Sequence, residues 1–270
     1  MYYFGTTRYV SEQSDMTFNN KVVLITGAGL GIGFEIAKQL AAQGAAVLLN
    51  DIDEAVANEA VAKIQAAGGR CEASVGDASD VDYIQGMIDQ AVTSFGSLDL
   101  AIANAGITTY GSFLDYPVER FQQLVALNLQ GTFFLVQRAA RQMIKQQTEG
   151  RILLLSSVTG HQYHPDLTAY GMSKAAIRFL AKTLGVELAP HQITVNAISP
   201  GATLTERTIQ IDEGDFQAQW ERITPTKRPA TTADIAHTAL YLLSPLSGQV
   251  TGQTIIVDGG WTATSPPPGT

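Results

Sequence analysis

The stretch KVVLITGAGLGIG at residues 21–33 is an apolar, β-branched run that ends in one threonine and four glycines spaced two apart. Apolar character on both faces predicts a strand over 21–26 that is covered on both sides, as in a parallel sheet. The glycines permit a tight turn and let backbone N–H groups approach a ligand. An amphipathic helical pattern follows at once and runs over 31–43. The uncovered N–H groups therefore lie at the positive end of a helix, which is a place for a pyrophosphate. A strand before, a helix after and a second strand ending in an acid supply the context that a lone glycine match lacks.

The same rhythm continues outward from this turn. Further strands are predicted at 46–50, 71–75, 98–103, 151–156, 193–198 and 254–257, with helices at 54–67, 81–95, 121–147, 170–189 and 232–243. Strand–helix alternation with right-handed crossovers predicts an α/β fold: a single-domain, Rossmann-type doubly wound parallel sheet of about seven strands with helices on both faces. A chain of 270 residues with 45% hydrophobic content can bury one large core. The domain is expected over 18–262, between an N-terminal arm at 1–17 and a proline-rich tail at 263–270. Residues 202–228 break the rhythm with a polar stretch carrying Leu204, Ile209, Ile211, Phe216 and Trp220. It is too long for an ordinary connection, and a lid over a site is expected there.

No single apolar stripe of the helix at 121–147 can hold Phe121, Leu124, Val125, Leu127, Leu129, Phe133, Phe134 and Val136. Such a helix is expected to be buried on more than one side. One side faces the sheet, and a second subunit is expected on the other; cover from the lid or the tail is the alternative. A monomer in sedimentation at micromolar concentration would refute the second subunit.

The formal net charge is -8 and no long basic run occurs, so neither nucleic acid nor an anionic membrane is expected as a partner. No segment approaches the roughly 18 apolar residues of a membrane span, and the first sixteen residues hold no signal-peptide core. The one cysteine, Cys71, rules out an intrachain disulfide and reads as a small packed residue. A reducing, cytoplasmic compartment is expected. His161 and His164 lack a third ligand-like neighbour, so no metal site is expected.

Asp51 closes the second strand, eighteen residues beyond Gly33. An acid there accepts hydrogen bonds from the adenosine ribose hydroxyls of a dinucleotide. A 2′-phosphate in the same place would meet a like charge, at about 4 kcal/mol per pair for about 4 Å and an effective dielectric near 20. No Arg or Lys stands at Ala28, Leu30 or directly after Asp51 to compensate. NAD is therefore the expected cofactor, over NADP. Asp53 fits better as the N-cap of the helix starting near Glu54.

Tyr170-Gly171-Met172-Ser173-Lys174 places a phenol and an ammonium four residues apart, on one face of a helix. A free phenol ionises only near pH 10 and is a sluggish base near neutrality. A nearby cation favours phenolate, which suits general acid–base catalysis. Thirteen residues earlier, Ser157 follows the apolar strand at 151–156, and ligands of open α/β sheets lie outside the carboxyl ends of strands.

At these residues the chain closely resembles the classical short-chain dehydrogenase/reductase family, over about 18–262. The likeness is carried by TGAGLGIG at 26–33, Asp77 after the third strand, Asn104-Ala105-Gly106, Asn128, Ser157, YGMSK at 170–174, Asn196, Pro200-Gly201, Thr251-Gly252-Gln253 and Val257-Asp258-Gly259-Gly260. One position departs from the family: its frequent Asn-Asn-Ala-Gly begins here with Ala103, and a local adjustment is expected.

The resemblance implies a role for each residue. Tyr170 exchanges a proton with the substrate oxygen, and Ser157 hydrogen-bonds and orients that oxygen. Lys174 binds the nicotinamide ribose and favours the ionised phenol; Asn128 holds a water that connects Lys174 to solvent. Gly27, Gly29, Leu30, Gly31, Ile32 and Gly33 form the pyrophosphate loop. Asp51 and Ile52 take the adenosine ribose end, and Asp77 and Ala78 line the adenine pocket. Asn104, Ala105 and Gly106 run beside the cofactor. Thr203 and Thr205, after Pro200 and Gly201, contact the carboxamide or pyrophosphate. The family also implies a homotetramer.

Substrate choice is expected in 107–112, 158–164 and the lid at 202–228. Thr108, Thr109, Tyr110, His161, Gln162, Tyr163 and His164 make a polar set with aromatic surfaces. Each substrate hydroxyl needs a partner once desolvated, so a sugar, polyol or related small hydroxy compound is favoured. The alternatives are a 3-oxoacyl thioester or hydroxysteroid-type ketone, and a non-catalytic dinucleotide-binding regulatory protein.

Overall fold

The computed structural model of the chain describes residues 17–211 and 215–264; the expected arm through residue 16 and the tail from 265 lie outside them. The first half runs β1 (Val22–Ile25), α1 (Gly31–Ala42), β2 (Ala46–Asp51), α2 (Glu54–Ala66), β3 (Arg70–Val75), α3 (Val81–Phe95) and β4 (Leu100–Ala103). The second half adds α4 (Val118–Leu124), a π-helical segment (Val125–Gly131), α5 (Thr132–Gln146), β5 (Gly150–Leu155), α6 (Thr168–Glu187) and β6 (Ile193–Pro200). It closes with β7 (Thr203–Leu204), α7 (Glu206–Ile211), α8 (Phe216–Ile223), β8 (Ala230–Thr231), α9 (Thr232–Leu243) and β9 (Thr254–Val257).

Seven strands form one parallel sheet in the order β3-β2-β1-β4-β5-β6-β9. Alternate residues of each strand point to opposite faces, and both faces are covered. Val23, Ile25, Val47 and Leu49 pack under α1, α2 and α9 through Ile36, Leu40, Ile64, Ile235 and Leu240. Val22, Leu24, Ala101 and Ile152 pack under α3, α5 and α6 through Ile84, Met87, Leu135, Met143 and Ile177. The apolar runs lack polar alternation for this reason. The doubly wound sheet expected from the sequence is the one observed.

Strand order reverses between β2 and β4, on either side of β1. The crevice beyond the carboxyl ends of β1 and β4 is where open α/β sheets take ligands. The turn after β1 carries the glycines, and Asn104 to Gly106 follow β4, so both flank this crevice. Ala103, the departure from the family pattern, is the last residue of β4 and lies buried against the α3/α5 layer. A small apolar side chain fits that position.

The helix expected at 121–147 is continuous from Val118 to Gln146 but is not regular α-helix. Its middle, Val125–Gly131, widens to π-helical turns. A π-turn holds an extra residue and rotates the faces that follow, so a single 3.6-residue stripe does not describe the sequence. Gly131, at its end, lies so close to the Ala78 carbonyl oxygen that a Cβ would not fit. Leu135, Val136, Ala139 and Met143 face the sheet, while Phe121 and Phe133 on the outer side are 39% and 45% exposed.

Candidate active site

The glycine turn is held from three sides. The Ala28 N–H donates to the Asn50 carbonyl (2.8 Å), and Asn104 Nδ2 donates to the carbonyls of Thr26 (2.9 Å) and Gly27 (2.6 Å). The Gly29 N–H donates to Asp51 Oδ2 at 3.0 Å. Gly27 has φ +60, and a Cβ there would stand 2.8 Å from the Ala105 Cα. Only glycine takes this backbone at no steric cost. The turn opens onto a cavity of about 480 Å³ lined by Gly27, Leu30 to Gly33, Asp51, Ile52, Asp77, Ala78 and Asn104 to Gly106. Of the four turn glycines, Gly27, Gly31 and Gly33 line this cavity, and Gly29 does not, its N–H being taken by the Asp51 carboxylate. Asp53 caps α2 as expected, its Oδ1 accepting the N–H groups of Ala55 (2.9 Å) and Val56 (3.1 Å).

Helix α1 has Leu30 at its N-cap and no side-chain cap of its own. Its Gly31 N–H instead donates to Glu206 Oε2 at 3.1 Å, from helix α7 of the expected lid. A carboxylate thus stands where the positive helix end would take a phosphate. The backbone close approach, the uncapped N–H groups and this stand-in anion all fit a dinucleotide pyrophosphate.

A second cavity of about 340 Å³ adjoins the first and shares Ile32, Asn104, Gly106, Thr205 and Arg207 with it. Tyr170, Ser157 and Lys174 line it together with Pro200, Gly201 and Thr203. Lys174 is 6% exposed, and its Nζ donates to the Leu155 carbonyl at 2.7 Å, which sets the ammonium 5.6 Å from the centre of the Tyr170 ring. Ser157 Oγ accepts from the Thr159 N–H (3.2 Å) and Thr159 Oγ1 (2.9 Å), so its own proton stays free to donate. The Tyr170 hydroxyl makes no hydrogen bond among the described residues.

Asn128 sits buried in the π-helical segment, where such wide turns commonly serve a site. Its Oδ1 accepts from the Ile107 N–H (2.9 Å), and its Nδ2 donates to the Ile107 carbonyl (3.0 Å) and to Ser173 Oγ (3.2 Å). It makes no direct bond to Lys174. The two face one point at Gly106, whose added Cβ would stand 3.2 Å from Asn128 Oδ1 and 3.4 Å from Lys174 Nζ.

The expected substrate-facing set divides. Thr108, Tyr110 and His164 line the second cavity. The hydroxyl of Thr109 pairs instead with that of Tyr116, and Tyr163 is 82% exposed. Ring nitrogen Nε2 of His161 pairs with Ser199 Oγ at 2.9 Å; burial, and then the Arg178 guanidinium, push this imidazole toward its neutral form. Burial also pushes the Cys71 thiol up to about 12, as suits a packed residue.

The sequence reading places Phe216 and Trp220 in the expected lid but names neither them nor Trp261 among the substrate-facing residues. Phe216 and Trp220 of α8 and Trp261 line the cavity, the two indoles edge to face at 5.0 Å. Trp261 is placed by Asp258, which accepts from the N–H groups of Gly260 (2.8 Å) and Thr262 (2.7 Å). Asn196 anchors the preceding segment through the Val250 carbonyl (2.7 Å) and the Gln253 N–H (3.1 Å). The signal available was two bulky aromatics in an otherwise polar stretch at 202–228.

A glycine turn at the reversal of a parallel sheet, opening beside a free phenol and a buried ammonium, is the arrangement of a dinucleotide-binding oxidoreductase. Comparison with known proteins bears this out. The family model described as enoyl-(acyl carrier protein) reductase matches residues 27–262. A short-chain dehydrogenase/reductase from Armillaria gallica is 38% identical over 248 residues, 89% of this chain and 95% of that protein. The L-rhamnose 1-dehydrogenase (NAD(P)(+)) of a Sphingomonas species is 36% identical over 249 residues, 89% of this chain and 95% of its own length. Among solved structures, a gluconate 5-dehydrogenase from Burkholderia cenocepacia, in complex with NADP and tartrate, superposes with a TM-score of 0.86 at 30% identity, covering 93% of this chain and 98% of that one. The chain belongs to the short-chain dehydrogenase/reductase family, whose members bind nicotinamide dinucleotides. No helix among the described residues is long and apolar enough to cross a membrane.

Proposed function

We propose that this chain is an NAD-dependent dehydrogenase that interconverts a secondary alcohol and its ketone on a small polyhydroxylated compound of the sugar or polyol class. The carrying observation is the unpaired Tyr170 hydroxyl, in a cavity with Lys174 fixed beneath it. The bound nicotinamide supplies the hydride acceptor, and the protein manages orientation and the proton. In oxidation Tyr170, as phenolate, removes the alcohol proton. Ser157 donates its free proton to the same oxygen and holds it in line. Lys174, held by the Leu155 carbonyl beneath the ring, would bind the nicotinamide ribose. Asn128 and Lys174, which approach one point beside Gly106, would hold a water there that leads the proton onward.

Asp51 supports NAD. Its carboxylate is pinned by the Gly29 and Asp53 N–H groups at 3.0 and 3.2 Å, at the edge of the first cavity. The rhamnose dehydrogenase is named for NAD(P)(+) and the gluconate 5-dehydrogenase structure holds NADP, so the Asp51 charge carries the reading. Thr108, His164 and the indole faces of Trp220 and Trp261 support a polyhydroxylated substrate, since hydroxyls meet polar groups and C–H faces meet rings. The exposed outer side of α4 and α5, with Phe121 and Phe133, supports a homo-oligomer, and the single packed cysteine a cytoplasmic setting.

The test is a panel of sugars, polyols, hydroxysteroids and 3-hydroxyacyl esters with NAD, followed by NADH absorbance. Turnover concentrated on the polyhydroxylated compounds is expected. Turnover of hydroxysteroids or 3-hydroxyacyl esters alone would replace the reading.

Glu206 gives a separate expectation. A pyrophosphate arriving at α1 must displace this carboxylate or sit against its charge. Glu206→Gln should therefore lower the NADH Kd by about threefold to tenfold in a fluorescence titration. Weaker binding by the variant would contradict the competition.

A further inference from the structure

We propose that the substrate carries a carboxylate and that Arg207 binds it, so that the alcohol oxidised belongs to a small polyhydroxy acid. This rests on the polyhydroxy reading above and narrows it. The chain as a whole is acidic, with 25 Asp and Glu against 17 Lys and Arg. The second cavity inverts that balance: Lys174 and Arg207 line it, and no Asp or Glu does.

The two cations are not equivalent. Lys174 is buried and committed to the Leu155 carbonyl beside Tyr170. Arg207 stands exposed on α7, with one bond, from Nη2 to the Thr108 carbonyl at 3.3 Å. That bond sets the guanidinium against the cavity wall at Thr108 and leaves most of its five N–H donors open. The nearest acid in sequence does not neutralise it, because Glu206 turns its carboxylate to the Gly31 N–H. No other described residue gives Arg207 an ion pair.

A neutral polyol offers a guanidinium only single, uncharged hydroxyl acceptors. A carboxylate matches its planar fork with two parallel charge-assisted bonds. Thr108 and His164 on the same cavity, and the indoles of Trp220 and Trp261, then receive the hydroxylated carbon chain. Arg207 also borders the dinucleotide cavity, so the cofactor pyrophosphate is the other anion within its reach.

The test compares kcat/KM for several aldonates with that for the alditols of the same carbon skeletons, in wild type, Arg207→Leu and Arg207→Lys, with the NADH Kd of each protein. Wild type should favour the acids by about tenfold, the scale of a charge-assisted pair discounted for the exposure of Arg207. Arg207→Leu should erase most of that ratio, chiefly through KM for the acid; Arg207→Lys should restore part of it. The NADH Kd should stay within about twofold throughout. Equal wild-type efficiency on acids and alditols, or a parallel loss on both in Arg207→Leu, would overturn this proposal and leave the polyhydroxy reading standing. A loss carried by the NADH Kd would assign Arg207 to the pyrophosphate and overturn it too. Turnover of neither class, with a hydroxysteroid or 3-hydroxyacyl ester accepted, would remove the broader reading and this one with it.

Discussion

Tyr170→Phe should cut kcat by about 10³-fold or more while leaving the NADH Kd within about twofold. The variant keeps the ring and its place near the start of α6, so packing is preserved. It deletes the oxygen that, among the described residues, bonds to nothing in the chain and is therefore free for a ligand. Removing a general acid–base group costs about 10²–10⁴-fold. The upper part of that range is expected because the ammonium beside the ring, Lys174, is held by the Leu155 carbonyl; His164 and Tyr110 line the same cavity, and substituting them in the Tyr170→Phe background would expose any proton transfer they take over. Steady-state kinetics and a fluorescence titration on the same preparation decide it. Full turnover by the phenylalanine variant would remove the proposed chemistry; lost NADH binding would show that the ring holds the cofactor instead.

The second large effect is on cofactor choice. Wild type should use NAD over NADP by about 10²-fold in kcat/KM, and Asp51→Asn should bring that ratio to within about threefold of one. Two unit charges near 4 Å at an effective dielectric near 20 repel by about 4 kcal/mol. Asp51 is only half-buried, so solvent screens part of this and about 10²-fold remains. Asparagine keeps an acceptor for the Gly29 N–H, now bonded at 3.0 Å, and removes only the charge. The comparison therefore separates electrostatics from collapse of the glycine turn. A wild-type preference for NADP would overturn the assignment.

The layers and the crevice were readable because their causes are local. Unbroken apolar runs such as Val22–Ile25 can only be strands covered twice, and glycines before a helix can only be a turn. Asp53 capping α2 and Tyr170 sharing a helical face with Lys174 are likewise short-range facts. The π-helical turns at Val125–Gly131 were not readable, because a widened turn is set by what packs around it and has no period of its own. The aromatic wall was hidden for a different reason. Trp220 and Trp261 stand far apart in sequence and meet only because Asn196 and Asp258 steer the closing segment back over the sheet. Thr109 and Tyr163 failed as lining residues since a loop side chain can turn to a neighbour or to water, and sequence position does not choose between them.

The contact between Glu206 and Gly31 bears on how the enzyme loads. Glu206 and Arg207 are consecutive on one short helix, the first latched in the nucleotide crevice and the second at the wall of the neighbouring chamber. If dislodging the first moves this helix, the second moves with it, and the two occupants are then expected to communicate through a single lever. Linkage then demands reciprocity: by whatever factor the nucleotide sharpens the grip on the acid, the acid must sharpen the grip on the nucleotide.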